Sequence, residues 1–73
     1  MTDVSTLNGE PAAEALRQSS IPALRRLVVI GKQGELILTG KVTSYYIKQL
    51  AQEAIIPHLG GRELINRIVV ARP

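Results

Sequence analysis

The chain has 73 residues, enough for one small domain, and 45% of them are hydrophobic, a fraction typical of folded proteins. It contains no cysteine, which excludes disulfide frameworks, zinc-finger spacings and thiol nucleophiles. The net charge of +3 is unevenly placed, because residues 1–16 carry −3 while residues 17–73 hold all nine Lys and Arg and carry +6. A basic folded part suits anionic lipid or nucleic acid, although an ordinary solvated surface is the more common explanation.

The N-terminal part of the chain is predicted to be a disordered segment, residues 1–9, because it is polar and without periodicity. A single domain over residues 10–73 is expected to follow. The first nine residues lack the apolar stretch of a signal peptide, and no run is long enough to span a bilayer. The default expectation is therefore a cytoplasmic protein with no transmembrane segment. A short helix is predicted from Glu10 to Gln18, since Pro11 suits a first helical turn.

A β-hairpin is predicted after this helix. Pro22 keeps the preceding residue out of the helical region, and the β-branched run Leu24–Ile30 is typical of a strand. The tetrapeptide Gly31–Gly34 then separates it from Leu36–Val42, whose side chains alternate with period two. Gly40 interrupts the second strand and leaves room for another element to approach closely.

The period changes to that of a helix at Tyr45 and remains so to about Ile56. One apolar stripe runs along it, formed by Ile47, Leu50, Ala51, Ala54 and Ile55. Thr43 and Ser44 are both able to cap its first turn. A last strand is predicted over Leu64–Val70. The fold class is therefore α+β, a two-layer αββαβ order with a three-stranded mixed sheet and two helices on one face.

One face of this sheet is predicted to stay uncovered, because too few residues remain to form a third layer. It would present Ile37, Thr39, Lys41, Ile65, Arg67 and Val69, joined from the first strand by either Leu27 and Val29 or Val28 and Ile30. A solvated face is normally more polar than this. We therefore expect a docking surface bordered by Lys41, Arg67, and Arg25 or Arg26. The alternative is an apolar sheet face without a partner.

The start of the long helix is a second candidate surface. Tyr45 and Tyr46 beside Lys48 suit a lipid headgroup boundary or a protein interface. The alternative is that Tyr46 fills the edge of the core. Four basic residues would attract lipid phosphates: Arg25, Arg26, Lys41 and Arg67.

The sequence offers no catalytic constellation. His58 is the only histidine and has no nearby carboxylate pair, and Ser20 and Ser44 have no partner base. We therefore expect a chain that is not an enzyme and has no metal or cofactor. Nucleic acid is a poor candidate ligand because the only aromatic residues, two tyrosines, cannot form a platform for stacking bases.

Three stretches together resemble the BON domain, the small module of bacterial osmotic-stress and nodulation proteins. They are Leu36-x-Leu38-Thr39-Gly40-x-Val42-x-Ser44, Lys48-Gln49-x-Ala51-Gln52 and Gly60-x-x-x-Leu64-x-Asn66-x-Ile68-x-Val70. The resemblance covers roughly Ala12 to Val70, and Gly61 departs from it where the family has a β-branched residue. It implies an αββαβ fold and a non-enzymatic module that binds phospholipid, often in the periplasm or envelope.

Two functions are therefore expected. The first is association with anionic phospholipid membrane surfaces, and the alternative is protein–protein binding or homo-oligomerisation through the open sheet face. The candidate binding residues are Arg25, Arg26, Ile37, Lys41, Tyr45, Tyr46, Lys48, Ile65, Arg67 and Val69.

Overall fold

The computed structural model describes residues 10–71. The elements are α1 (Pro11–Arg17), α2 (Pro22–Arg25), β1 (Val28–Lys32), β2 (Glu35–Val42), α3 (Tyr45–Ile55), a 3₁₀ turn (Ile56–His58) and β3 (Glu63–Val70). The predicted αββαβ order is confirmed, with α2 and the 3₁₀ turn added to it. The predicted disordered segment, residues 1–9, lies outside the described residues, as do residues 72–73 of the predicted domain.

The three strands form one mixed sheet in the order β1-β2-β3. β1 and β2 are antiparallel, with Val28 opposite Thr39 and Lys32 opposite Glu35. β2 and β3 are parallel from Glu35 opposite Glu63 onwards, which requires the crossover through α3. The centre of the sheet is therefore β2, and every residue on it has a neighbour on at least one side.

Helices α1 and α3 both pack on one face of this sheet. The sheet contributes Leu36, Leu38 and Val42 to the core, and the helices bring side chains that are equally buried, namely Ala12 and Leu16 from α1 with Ala51 and Ile55 from α3. The fold is thus the predicted two-layer arrangement.

Helix α3 begins and ends where its sequence predicts. The Ser44 hydroxyl accepts a hydrogen bond from the Ile47 amide at 3.2 Å, which caps the first turn. The predicted apolar stripe faces the core. Pro57 has no amide hydrogen to continue the helix, and the chain changes there into the 3₁₀ turn.

The predicted strand over Leu24–Ile30 is wrong in its first half. Pro22 occupies the first position of α2, where its fixed φ favours a helical turn. Leu24 and Leu27 are both buried in the core, and a spacing of three residues suits a helical turn better than a strand. The strand therefore starts at Val28 and continues through Gly31 and Lys32, so that the hairpin turn is two residues long.

Gly40 has the predicted close approach. A Cβ atom on Gly40 would lie 2.5 Å from Cδ2 of Leu27, and its φ of +139° is one that side chains rarely adopt. Glycine is thus needed here because Leu27 packs directly on the β2 backbone.

Candidate docking surface

The sheet face opposite α1 and α3 carries its side chains in four rows that follow from the strand register, and we call it the open face. The first row is Lys32, Glu35 and Glu63, the second Ile30, Ile37 and Ile65, the third Val28, Thr39 and Arg67, and the fourth Lys41 and Val69. Within residues 10–71 no element packs over these rows, since the helices belong to the core on the other side. The predicted open face is present, and β1 contributes Val28 and Ile30 to it.

The second row is a continuous stripe of isoleucines across all three strands, which we call the isoleucine row. Ile37 in its centre is only 9% exposed, yet it is not part of the core cluster. It lies between Ile30 and Ile65 in the row, and Ile30 itself is 42% exposed. Val28 and Val69 in the rows beside it are also exposed. Among the described residues the face is therefore apolar, with Ile37 buried at its centre and Val28, Ile30 and Val69 accessible around it.

Charge divides the open face along the strand direction. Glu35 and Glu63 lie side by side in the first row, where Lys32 opposite Glu35 leaves one carboxylate in excess. Lys41 and Arg67 lie in the rows at the other end. At about 3.3 Å per residue, Glu35 and Lys41 are roughly 20 Å apart along β2. One end of the face is thus acidic and the other is basic.

The start of α3 lies at the basic end. Helix α3 begins three residues after β2 ends, and the carboxyl end of the parallel strand β3 lies beside that of β2. Tyr45 and Tyr46 are 66% and 69% exposed, and Nζ of Lys48 lies 6.0 Å from the Tyr45 ring centroid. The alternative that Tyr46 fills the core edge is therefore wrong. We call the residues at this end the carboxyl-end patch: Lys41, Tyr45, Tyr46, Lys48, Arg67 and Val69.

The prediction that Arg25 or Arg26 borders the open face from a strand is wrong, because both residues lie at the end of α2. Arg25 belongs to α2, and its guanidinium donates to the Ser19 carbonyl oxygen at 2.8 Å. Together with Arg17 it lines a groove of about 340 Å³ between the helices and β1. Arg26 is the exposed C-cap residue of α2. Both residues lie outside β1 because the chain forms a helical turn after Pro22. The ten predicted binding residues are therefore divided between the open face, the start of α3 and the end of α2.

A partly buried ion pair between Glu10 and Arg62 was not predicted. The guanidinium of Arg62 donates to both carboxylate oxygens of Glu10, at 2.9 and 3.0 Å. It also donates to the carbonyl oxygens of Leu59 at 2.7 Å and His58 at 3.2 Å. The side chains are 12% and 23% exposed for Glu10 and Arg62. This pair joins the start of α1 to the loop before β3, and its residues are 52 positions apart, a separation that local patterns do not predict.

The environment of this pair stabilises both charges. Hydrogen bonds from Arg62, with a smaller contribution from the Ala12 amide, hold the pKa of the Glu10 carboxyl below its usual value, against the opposing effect of burial. The same contact raises the pKa of Arg62. A Cβ atom on Gly31 would lie 2.9 Å from Oε1 of Glu10 and 3.0 Å from Nη1 of Arg62. Glycine in β1 thus leaves space for the pair, whose partners are all internal, so we assign it a structural role.

Asn66 is also structural. Its amide nitrogen donates to Oε1 of Gln52 at 2.9 Å, and its amide oxygen accepts from the Ile68 amide at 3.0 Å. The amide therefore links β3 to α3. Over residues 10–71 no three histidine or carboxylate side chains lie close enough together to hold a metal ion, and no helix is both long and apolar enough to cross a bilayer.

Comparisons of the whole chain with protein-family models, with curated proteins and with solved structures find no match. The resemblance to the BON domain therefore stays a prediction.

Proposed function

We propose that this chain is a BON-like, non-catalytic module that associates with anionic phospholipid surfaces through the carboxyl-end patch. One observation carries the proposal: two tyrosines, 66% and 69% exposed, lie at the same end of the sheet as Lys41, Lys48 and Arg67. Tyrosine rings are amphipathic and partition to the headgroup region of a bilayer. Each lysine or arginine near an anionic surface contributes about 1 kcal/mol.

The separation of charge on the open face supports this orientation. Glu35 is roughly 20 Å from Lys41 and Glu63 is about 13 Å from Arg67, and both distances exceed the Debye length of about 8 Å at physiological salt. Their repulsion of a membrane that touches the carboxyl-end patch is therefore largely screened. The three cations of the patch together supply about 3 kcal/mol of attraction, which falls as salt rises.

Vesicle flotation tests the proposal. We expect the chain to float with phosphatidylcholine vesicles that contain about 30 mol% phosphatidylglycerol, but not with phosphatidylcholine alone, and to be released by moderate salt. Lys41→Glu reverses one charge of the patch and should weaken binding about 30-fold, equivalent to about 2 kcal/mol. Lys32→Glu is the matched control, because Lys32 is also exposed on the open face but at its acidic end.

Two results would contradict the proposal. The first is the absence of flotation with anionic vesicles at low salt. The second is equal binding by Lys41→Glu and Lys32→Glu, which would mean that only net charge matters. A double variant Tyr45→Ser, Tyr46→Ser, at two exposed positions, should retain the salt dependence but bind more weakly.

A second function, protein binding or self-association through the open face, is favoured by a separate observation. The isoleucine row is uncovered by any described element, and an apolar stripe on a sheet commonly marks a protein interface. This function does not use the tyrosines of the carboxyl-end patch, so the two proposals are separable by mutation.

A further inference from the structure

We propose that the open face binds a second copy of this chain, the two sheets lying face to face about a two-fold axis that runs along the isoleucine row. This inference rests on the second proposed function and specifies its partner and geometry. It is carried by the charges in the rows on either side of the isoleucine row.

The two-fold symmetry of a face-to-face pair limits the possible arrangements. Two identical faces meet only if the axis lies in the plane of the interface, and the simplest directions are along the rows or along the strands. With the axis along the isoleucine row, each strand runs antiparallel to its counterpart and the isoleucines of the two copies pack together. The first row then faces the third row of the other copy, and Glu63 lies opposite the partner's Arg67.

In the first row Lys32 lies opposite Glu35, but Glu63 on the far strand has no cationic neighbour across a strand. Glu35 and Glu63 are direct neighbours on adjacent strands, where like charges are destabilising. Arg67 lies four residues along β3 from Glu63, at about 13 Å, which is too far for an ion pair. Among the described residues, neither Glu63 nor Arg67 takes part in an ion pair. In the proposed dimer the partner's Arg67 neutralises Glu63, and symmetry makes this contact twice.

The alternative axis gives the opposite result. An axis along β2 would place each row against the same row of the other copy, so that Glu35 would lie opposite the partner's Glu35. That arrangement also places Lys41 opposite the partner's Lys41. Although it brings Lys32 opposite the partner's Glu63, it has two like-charge contacts that the axis along the isoleucine row lacks. Charge therefore selects the axis along the isoleucine row.

The area of the face indicates a weak, reversible dimer. Three strands about 4.8 Å apart and the three overlapping rows about 6.7 Å apart cover roughly 14 by 20 Å. This is well below the approximately 800 Å² per partner of a standard interface, even allowing for the relief of the side chains. We therefore expect dimerisation to become visible only at high protein concentration.

Sedimentation equilibrium over about 10 µM to 1 mM, with charge-swap variants, tests the geometry. The wild-type mass should rise from one chain towards two. Glu63→Lys and Arg67→Glu, both at exposed positions, should each remain monomeric because each creates two like-charge contacts. An equimolar mixture of the two variants should dimerise again, since both contacts are then between opposite charges. Glu53→Lys, the same charge change on α3, is the control and should behave as wild type.

Each unfavourable outcome overturns the proposal. A wild-type chain that stays monomeric to 1 mM excludes a second copy as the partner, and loss of vesicle binding by Ile30→Glu would then assign the face to lipid. Dimers that survive both single changes, or a mixture that does not dimerise, would exclude this axis. Failure of the lipid proposal is distinguishable, because Lys41 lies in the fourth row, beyond the rows that overlap, and Lys41→Glu should leave dimerisation unchanged.

Discussion

Replacing Glu10 by glutamine should remove a large part of the stability of this domain. A chain of 73 residues is expected to have about 4–10 kcal/mol of unfolding free energy. Glu10 accepts two hydrogen bonds from the Arg62 guanidinium and one from the Ala12 amide, and its side chain is 12% exposed. Hydrogen bonds to charged groups contribute about 1.5–3 kcal/mol each, and the lower end of this range applies to a pair that is only partly buried.

The expected cost is about 2–3 kcal/mol, because glutamine retains one acceptor oxygen and Arg62 keeps its bonds to the carbonyl oxygens of Leu59 and His58. This corresponds to a lowering of Tm by roughly 10–20 °C in a domain of this size. Urea denaturation followed by circular dichroism measures the change, and the m value should stay constant if folding remains two-state.

Glu14→Gln is the matched control for this change. Glu14 lies in the same helix and forms an ion pair with Arg17 in which both side chains are exposed. Exposed pairs at this spacing contribute only about 0.2–0.5 kcal/mol. If the two variants differ in unfolding free energy by less than about 0.5 kcal/mol, the assignment of Glu10 and Arg62 as a structural clamp is wrong.

Two further predictions concern the stability of the folded domain. The difference in unfolding free energy between wild type and Glu10→Gln should be fully present at neutral pH and shrink as pH falls through the acid range. The reason is that the pKa of Glu10 is lowered in the folded chain, so its contribution to stability is lost on protonation. Urea titrations at several pH values measure this difference. Gly40→Ala should cost about 1–3 kcal/mol through the clash with Leu27, whereas Gly34→Ala, with φ +82° but no atom within 4 Å of the new Cβ, should cost about 1 kcal/mol. Equal costs at the two glycines would contradict a packing role for Gly40.

The elements with a clear hydrophobic period were predictable from the sequence. In β2 the alternation of Leu36 and Leu38 with Ile37 determines which face meets the helices, and the register then places Ile65 beside Ile37. In α3 the change of period at Tyr45 predicts both the helix and its buried stripe. The open face was predictable because two helices cover only one side of three strands and too few residues remain to form a layer on the other side.

Failures arose where local signals conflict or where the partner is distant in sequence. The run Leu24–Ile30 has the β-branched composition of a strand, but Pro22 and the core positions of Leu24 and Leu27 favour a helical turn in its first half. The ion pair of Glu10 and Arg62 had no such signal. The two residues of the pair are brought together only by the completed fold. Gly31, which packs against both side chains, has no feature in the sequence that distinguishes it from a turn glycine.

The two proposed surfaces share Arg67, which faces the partner's Glu63 in the dimer, and the other cations and the tyrosines of the carboxyl-end patch stay free of that contact. A two-fold axis along the isoleucine row relates strands that run in opposite directions, so the carboxyl-end patches of the two copies lie at opposite ends of the paired sheets. Tyr45 and Tyr46 are on the helix side of the fold and stay outside the overlap, as does Lys41 in the fourth row. Because a single flat membrane cannot touch both ends, a dimer bound through one patch leaves the other directed away from that surface. Such a dimer has the geometry of a bridge between two anionic surfaces, whereas the monomer has that of a peripheral module on one.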